Sequence, residues 1–263
     1  MTTVKVLNLE GKKKETIELP PVFATPLRRD VIKRAVLAQQ SARYHRQGVD
    51  KMAGKRTSAE SWGVGHSKSR VPRTKGAGFR SASQGAFAPT AVGGRRTHPP
   101  QAREVILERI NKKERLLAIR SAIAATMQPG VVTARGHVFE AEELPIIVED
   151  ELQGLQTTPE VKTALQSLGL WGDILRVKDG RKVRSGSARR RNRKYRMPVG
   201  PLVVIATDDG IRKAARNIPG VTVTYASKLS AETLAPGTFP GRLTLWTKSA
   251  IQQLATGLYG GTA

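Results

Sequence analysis

Apolar residues recur along this chain in two rhythms, and between them lies a long stretch with no rhythm at all. Val4–Leu9 and Ile17–Leu19 flank a polar turn at Gly11–Lys14, which predicts a short β-hairpin. Thr25-Pro26 then reads as an N-cap with proline at the first helical position. Leu27, Val31, Ala35 and Ala38 follow at helical spacing, so a helix is predicted to about Tyr44. From His45 to Pro100 no apolar period survives and glycine is frequent. Structureless loops beyond ~12–15 residues are uncommon and are usually functional or disordered. After Pro99-Pro100 helical spacing returns: Ile106, Ile110, Leu116, Ile119, Ile123 and Met127 form one stripe, and Pro129-Gly130 predicts its end.

The second half alternates. Ile146–Val148 reads as a strand, Pro159–Leu168 as a helix behind Thr157-Thr158, and Ile174–Val177 as a strand. Leu202–Ala206 is the strongest buried-strand signal. Asp208 or Asp209 caps a helix to Asn217, Val221–Tyr225 and Leu243–Trp246 are strands, and Thr247–Leu258 is a last helix. Strands alternating with helices predict an α/β fold, with a mostly parallel sheet covered by helices. The expected organisation is a single globular domain over 1–263, with a long extended basic loop at 45–100 inserted in it and a second basic segment at 181–198.

Charge sharpens this division. The 263 residues hold 45 Lys+Arg against 21 Asp+Glu, a net +24. Between Arg43 and Arg103 lie thirteen cations and only two acids, Asp50 and Glu60, giving +11. Between Arg181 and Arg196 lie nine cations and no acid. These two stretches supply +20 of the +24, while twelve of the 21 acids fall in the near-neutral scaffold from Glu104 to Asp179. Such a chain repels itself unless a polyanion neutralises it. No run approaches the ~18 apolar residues of a membrane span, and the N-terminus has no apolar signal core. No cysteine is present, which removes disulfides, thiolate metal sites and cysteine nucleophiles. The expected compartment is the cytoplasm and the expected partner is nucleic acid.

Chemistry of other kinds finds little support. His45, His66, His98 and His137 have no second ligand at metal-binding spacing. Gly63-Val64-Gly65 and Gly76-Ala77-Gly78 lack the third glycine of a dinucleotide fingerprint, and neither follows an apolar strand. Asp208 and Asp209 end a strong strand, where a catalytic carboxylate can stand, but helix capping explains them more simply. No cofactor, no small-molecule substrate and no enzymatic activity are expected.

The basic stretches carry what nucleic acid needs. Arginine forks grip phosphate, glycine lets backbone amides approach it, and aromatic rings stack on unpaired bases. In the first stretch the residues expected to bind are Arg43, Arg46, Lys51, Lys55, Arg56, Trp62, Lys68, Arg70, Arg73, Lys75, Gly76, Phe79, Arg80, Gln84, Gly85, Phe87, Gly93, Gly94, Arg95 and Arg96. In the second they are Arg184, Arg189, Arg190, Arg191, Arg193, Lys194 and Arg196. Charge alone does not choose between RNA and DNA. A chromatin-like DNA binder would explain the charge, and an RNA-modifying enzyme would need a cofactor loop or an acid–base pair that the sequence lacks.

The motifs do choose. Arg70-Val71-Pro72-Arg73-Thr74-Lys75-Gly76, then Ser83-Gln84-Gly85-Ala86-Phe87, then Gly93-Gly94-Arg95-Arg96, resemble the internal loop of the L-four family of large-subunit ribosomal proteins, in its archaeal and eukaryotic branch. Arg189–Tyr195, Gly200-Pro201-Leu202-Val203-Val204 and Pro26-Leu27-Arg28-Arg29-Asp30-Val31-Ile32 are similar to it as well, so the likeness runs the length of the chain in order. The chain ends soon after its last expected helix, where eukaryotic members carry a long extension, so an archaeal source is expected. The resemblance implies a three-layer α/β domain that contacts large-subunit ribosomal RNA and neighbouring ribosomal proteins. It also implies a loop that helps wall the nascent-peptide exit tunnel, with Arg70, Val71, Pro72, Arg73 and Lys75 nearest the peptide where a two-stranded excursion turns around. One departure stands out: Ala88-Pro89-Thr90-Ala91 replaces the Gly-Asn-Met-Cys common in eukaryotic members, so side-chain contacts there do not transfer.

Overall fold

A computed structural model describes residues 2–141 and 143–259. The chain separates into two compact units, residues 1–40 with 108–263, and residues 41–107.

The first unit is built on a six-stranded sheet. In chain order its strands are β1 (Thr3–Leu7), β2 (Lys13–Glu18), β3 (Ile146–Val148), β6 (Leu202–Ile205), β7 (Thr222–Tyr225) and β8 (Thr244–Thr247). Two further strands, β4 (Lys182–Val183) and β5 (Tyr195–Arg196), form a separate antiparallel ribbon. The main sheet runs β2-β1-β3-β8-β6-β7. Only β1 and β2 are antiparallel, as the predicted hairpin, and every other pairing is parallel. A parallel sheet needs crossovers that cover both faces, and its strands are buried on both sides. The unbroken burial of Ile146–Val148, Leu202–Ile205 and Thr244–Thr247 follows.

Strand alternation splits the core in two. Val4, Val6, Ile147, Leu202, Val204 and Trp246 belong to one apolar cluster. Ile146, Val148, Val203, Ile205 and Leu245 belong to the other. Helices α1 (Arg29–Ser41), α2 (Lys112–Thr126), α8 (Ala231–Leu234) and α9 (Lys248–Ala255) contribute buried residues to the first cluster. Helices α3 (Pro129–Ala134), α4 (Thr158–Ser167), α5 (Trp171–Asp179) and α7 (Ile211–Ala215) contribute to the second. A four-residue turn of helix, α6 (Ser187–Arg190), has no buried residue and lies between β4 and β5. Trp246 is fully buried, meets Phe23 edge-on at 5.5 Å between ring centroids, and donates its indole N–H to Thr244 Oγ1 at 3.1 Å.

Four expectations are corrected. Helix α1 begins at Arg29, not at Pro26. The extended Pro26–Arg28 segment is held instead by Ser121 of α2, whose hydroxyl donates to Pro26 O at 2.9 Å and accepts from Arg28 N at 2.7 Å. A tertiary partner satisfies the backbone groups that a helical turn would have used. Ile106 and Ile110 precede α2 and are not helical, since the helix starts only after Asn111. Pro129-Gly130 does not merely stop α2; Pro129 opens α3, where its missing N–H costs nothing. Ile174–Val177 is helix, not strand. Leu170, Ile174 and Val177 are buried at steps of four and three, which is the helical period.

Elsewhere the local signals hold. Thr157 and Glu160 form a reciprocal capping box on α4, and Thr247 Oγ1 accepts from Ala250 N at the start of α9. Asp208 Oδ1 accepts from Gly210 N and Arg212 N, so the capping reading is the structural one.

Candidate nucleic-acid interface

Within the unit 41–107 there is no helix or strand beyond the last residue of α1, only turns and two isolated bridges. Both bridges use Arg73. Its backbone exchanges hydrogen bonds with Glu60, and on the other side Pro72 O accepts from Ala86 N while Thr74 N donates to Gln84 O. Residues 72–74 are therefore the middle of three short antiparallel segments. The chain reverses once before them and once after, which corrects the expectation of a single turn-around at 69–78. At the base of the unit Val49 N donates to Pro100 O at 3.3 Å. Gly54, with φ of +73°, lies so close to Gly94 that a Cβ on it would meet Gly94 O at 2.4 Å. Only glycine fits there.

Arg46, Lys51, Lys55, Arg70, Arg80, Gln84, Gly93 and Arg96 are exposed, as are Arg43 and Gly76. Several side chains of the unit are engaged at home. Arg56 pairs with Asp50, and Lys75 pairs with Glu60. The hydrogen bond from Arg56 holds the Asp50 carboxyl below its usual range, and the bond from Lys75 does the same for Glu60. Asp50 and Glu60 thus stay ionised and spend themselves on two cations. Arg73 is half-buried, and it donates to Ser83 O at 3.0 Å and to Ser69 Oγ at 2.8 Å. Its Nε is buried without a partner. Arg73 is thus first a brace of its own fold, while Arg70 projects from the neighbouring turn.

The aromatic residues are half-exposed and already touch cations. Lys68 Nζ lies 4.7 Å from the Trp62 ring centre, and Arg95 lies 6.0 Å from that of Phe87. Phe79 packs on Gly76, where a Cβ would meet its ring at 2.5 Å. Gly85 and Gly94 are half-buried turn positions of the same unit.

In the other unit, the ribbon of β4 and β5 carries the second basic segment. Arg184, Arg189, Arg190, Arg191, Arg193, Lys194 and Arg196 are all exposed. Arg184 Nε donates to Tyr195 O at 3.1 Å, and the guanidinium of Arg181 lies 3.9 Å from the Tyr195 ring centre. The segment is thus held by the β4–β5 pairing and by cation–π contact, and among the described residues its other charges have no acidic partner.

Sequence reading missed a buried polar cluster in this same unit. His137 Nδ1 and Asp173 Oδ2 are 2.9 Å apart, and both side chains are essentially inaccessible. Asp173 Oδ1 accepts from Arg176 Nε at 2.8 Å and from Val138 N at 3.1 Å. Burial works against the charge of Asp173, but the bonds from His137 and Arg176 outweigh it and the carboxyl stays below its usual range. Burial pushes the His137 imidazole down, and the neighbouring Asp173 only partly restores it. Arg242 is buried nearby in the fold. It is bonded to Gly200 O, Thr233 O and Thr222 Oγ1, and burial pushes it down to about 10. A spacing of 36 residues gives no local signal for the His137–Asp173 pair.

The cluster sets a pH dependence. Unfolded, His137 takes a proton near its ordinary 6.5, but folded it resists one, so stability is lost as pH falls below 6.5. Asp173, with its value depressed, adds stability that is complete above 3.8 and lost as pH falls through its folded value. Both act in one direction. Thermal melts are expected to fall steadily from about pH 7 toward pH 4, and His137→Asn should flatten the upper part of that curve. Equal slopes in the two proteins would remove His137 from the account.

Among the described residues no helix is long and apolar enough to cross a membrane, and no group of three His, Asp or Glu could hold a metal ion. Fold and surface together define a strongly basic α/β protein with two cation-rich segments, one in each unit. Residues 17–257 match the model of the Ribosomal protein L4/L1 family, and the chain belongs to that family. It is 50% identical to the Large ribosomal subunit protein uL4 of Methanosphaera stadtmanae, over 97% of this chain and 96% of the relative. It is 47% identical to that of Methanopyrus kandleri, over 95% and 96%, and 50% identical to that of Methanococcus aeolicus, over 95% and 98%. These relatives are all archaeal. The family is one of ribosomal structural proteins, not of enzymes.

Proposed function

We propose that this chain is a structural constituent of the large ribosomal subunit, in the cytoplasm, where it binds ribosomal RNA and supports assembly. The observation that carries the reading is the concentration of +20 of the +24 net charge in two segments, with most of the cations exposed, in a member of this family. Residues 45–100 act as a long RNA-binding loop, and 181–198 as a second RNA contact. Neighbouring large-subunit proteins complete the surroundings. The stretch Ser69–Gly78 lies by the exit tunnel and meets the nascent peptide, with Arg70 foremost because Arg73 and Lys75 are tied within their own unit.

Two measurements test this. The protein should co-sediment with large subunits and remain through a moderate salt wash; release into the supernatant would remove the ribosomal role. In assembled subunits a stalled nascent chain should crosslink within 69–78. A correctly placed nascent chain with no crosslink there would remove the tunnel assignment alone.

A further inference from the structure

The first unit also carries a basic cavity that touches the second basic segment only at its last residue, Pro198, and uses none of that segment's cations. It has a volume of about 680 Å³ and is lined by Arg29, Lys33, Arg135, His137 and Arg176, with Phe239 and two prolines, and no carboxylate faces it. Arg29 and Lys33 stand one turn apart at the start of α1, exposed and with no acidic partner among the described residues. Arg135 spends its two terminal nitrogens on Phe239 O and Pro236 O, and so braces the turn that bears Phe239. That turn is strained: Gly237 has φ of +75° and the β-branched Thr238 has φ of +74°. It presents the Phe239 ring at 69% exposure.

The charge here is unbalanced. No carboxylate is among the described lining residues, and Asp173, which touches His137 and Arg176, is spent on them. Arg135 is pushed down by burial and by the charge of Arg176. Cations that repel one another around a hollow gain from an anion placed among them. Guanidinium forks favour phosphate oxygens over a lone point charge. The exposed ring beside them suits the flat face of an unpaired base.

We propose that this cavity binds the phosphate of an unpaired ribonucleotide, gripped by Arg29 and Lys33, with the adjoining base stacked on Phe239. The assignment rests on the ribosomal reading for the source of that nucleotide. It adds an RNA contact on the globular unit that uses none of the cations of residues 45–100 and 181–198. The same phosphate chemistry could be met by free phosphate, which lacks the base.

The test uses the full chain, isotopically labelled, with amide and imidazole resonances followed during titration. The probes are an adenosine trinucleotide and, separately, inorganic phosphate. The trinucleotide should shift the His137 ring and Thr238 amide signals. The double variant Arg29→Ala, Lys33→Ala should weaken that binding about tenfold or more, from lost charge-assisted bonds. Phe239→Ala should weaken the trinucleotide at least about fivefold, the lower end for loss of a stacked base, and leave phosphate unchanged. All three changes are on exposed side chains, so folding is retained. No shift at His137 and Thr238 with either probe overturns the proposal. Equal affinity for both probes, indifferent to Phe239, overturns the nucleotide assignment in favour of a free-phosphate site. Co-sedimentation with subunits is read separately: its failure removes the ribosomal reading, whereas a silent cavity with intact co-sedimentation removes only this site.

Discussion

Raising potassium chloride from 50 to 200 mM is expected to weaken binding to large-subunit ribosomal RNA by roughly 10³–10⁵-fold, the range for six to ten neutralised phosphates. The exposed cations of the two segments are numerous enough for that count even after Arg56 and Lys75 are discounted for their own acids. The structure narrows which residues set the slope. Arg189, Arg190 and Arg191 lie in or beside α6, exposed and with no ion pair among the described residues. Replacing all three by alanine should lower the magnitude of the log–log slope by about 2 to 3, at roughly 0.7 to 0.9 per contact. Arg73→Ala should act differently. It removes bonds to Ser69 and Ser83, so it disturbs the local fold of its segment as well as its charge. Filter binding across a salt series measures both effects. An affinity almost independent of salt would sink the electrostatic reading.

Asp173→Ala is expected to destabilise the protein by about 3–5 kcal/mol, the cost of leaving a buried charge partnerless. At roughly 2–4 °C per kcal/mol for a domain of this size, the melting temperature should fall by about 10 °C. The carboxylate takes bonds from His137, Arg176 and the Val138 amide, so its removal takes the acceptor from three donors, of which His137 is buried and Arg176 keeps a bond to Val199 O. Asp173→Asn keeps the shape and one acceptor and should fall between. Thermal unfolding followed by circular dichroism measures both variants. A drop of a degree or two for the alanine variant would mean that Asp173 is not what holds α5 to the segment at Val138.

The architecture was readable because its signals are local. Strands β3 and β6 are short apolar runs buried on both faces, and the caps of α4 and α9 use residues three apart. The errors share a cause. Ile174–Val177 has strand-like composition, yet Leu170 and Asp173 beside it are buried at helical steps, and a four-residue window does not see them. The start of α1 was misplaced because Ser121, more than 90 residues on, occupies the backbone groups of Pro26 and Arg28. In the interface, charge and glycine marked the two basic segments, but not which cations are already used at home. That depends on Glu60 meeting Lys75 and on Ser69 and Ser83 meeting Arg73. The cavity under Phe239 draws on α1, α3, α5 and the 236–240 turn at once, and no stretch of sequence contains it.

The long reach of Ser121 bears on the order in which the chain becomes structured. Docking Pro26 and Arg28 onto α2 closes a loop of about 95 residues. Loop-closure entropy grows as about (3/2)RT ln n, so the cost depends on how much of that loop is free when it closes. The bond from Val49 to Pro100 joins two points 51 residues apart within it. If that neck forms first, the free span roughly halves and later closure becomes easier by about 0.6 kcal/mol. During synthesis the N-terminal hairpin and α1 emerge long before α2, and they wait with one apolar face uncovered. A neck that ties itself off first would shorten the span that remains to be closed once α2 has emerged.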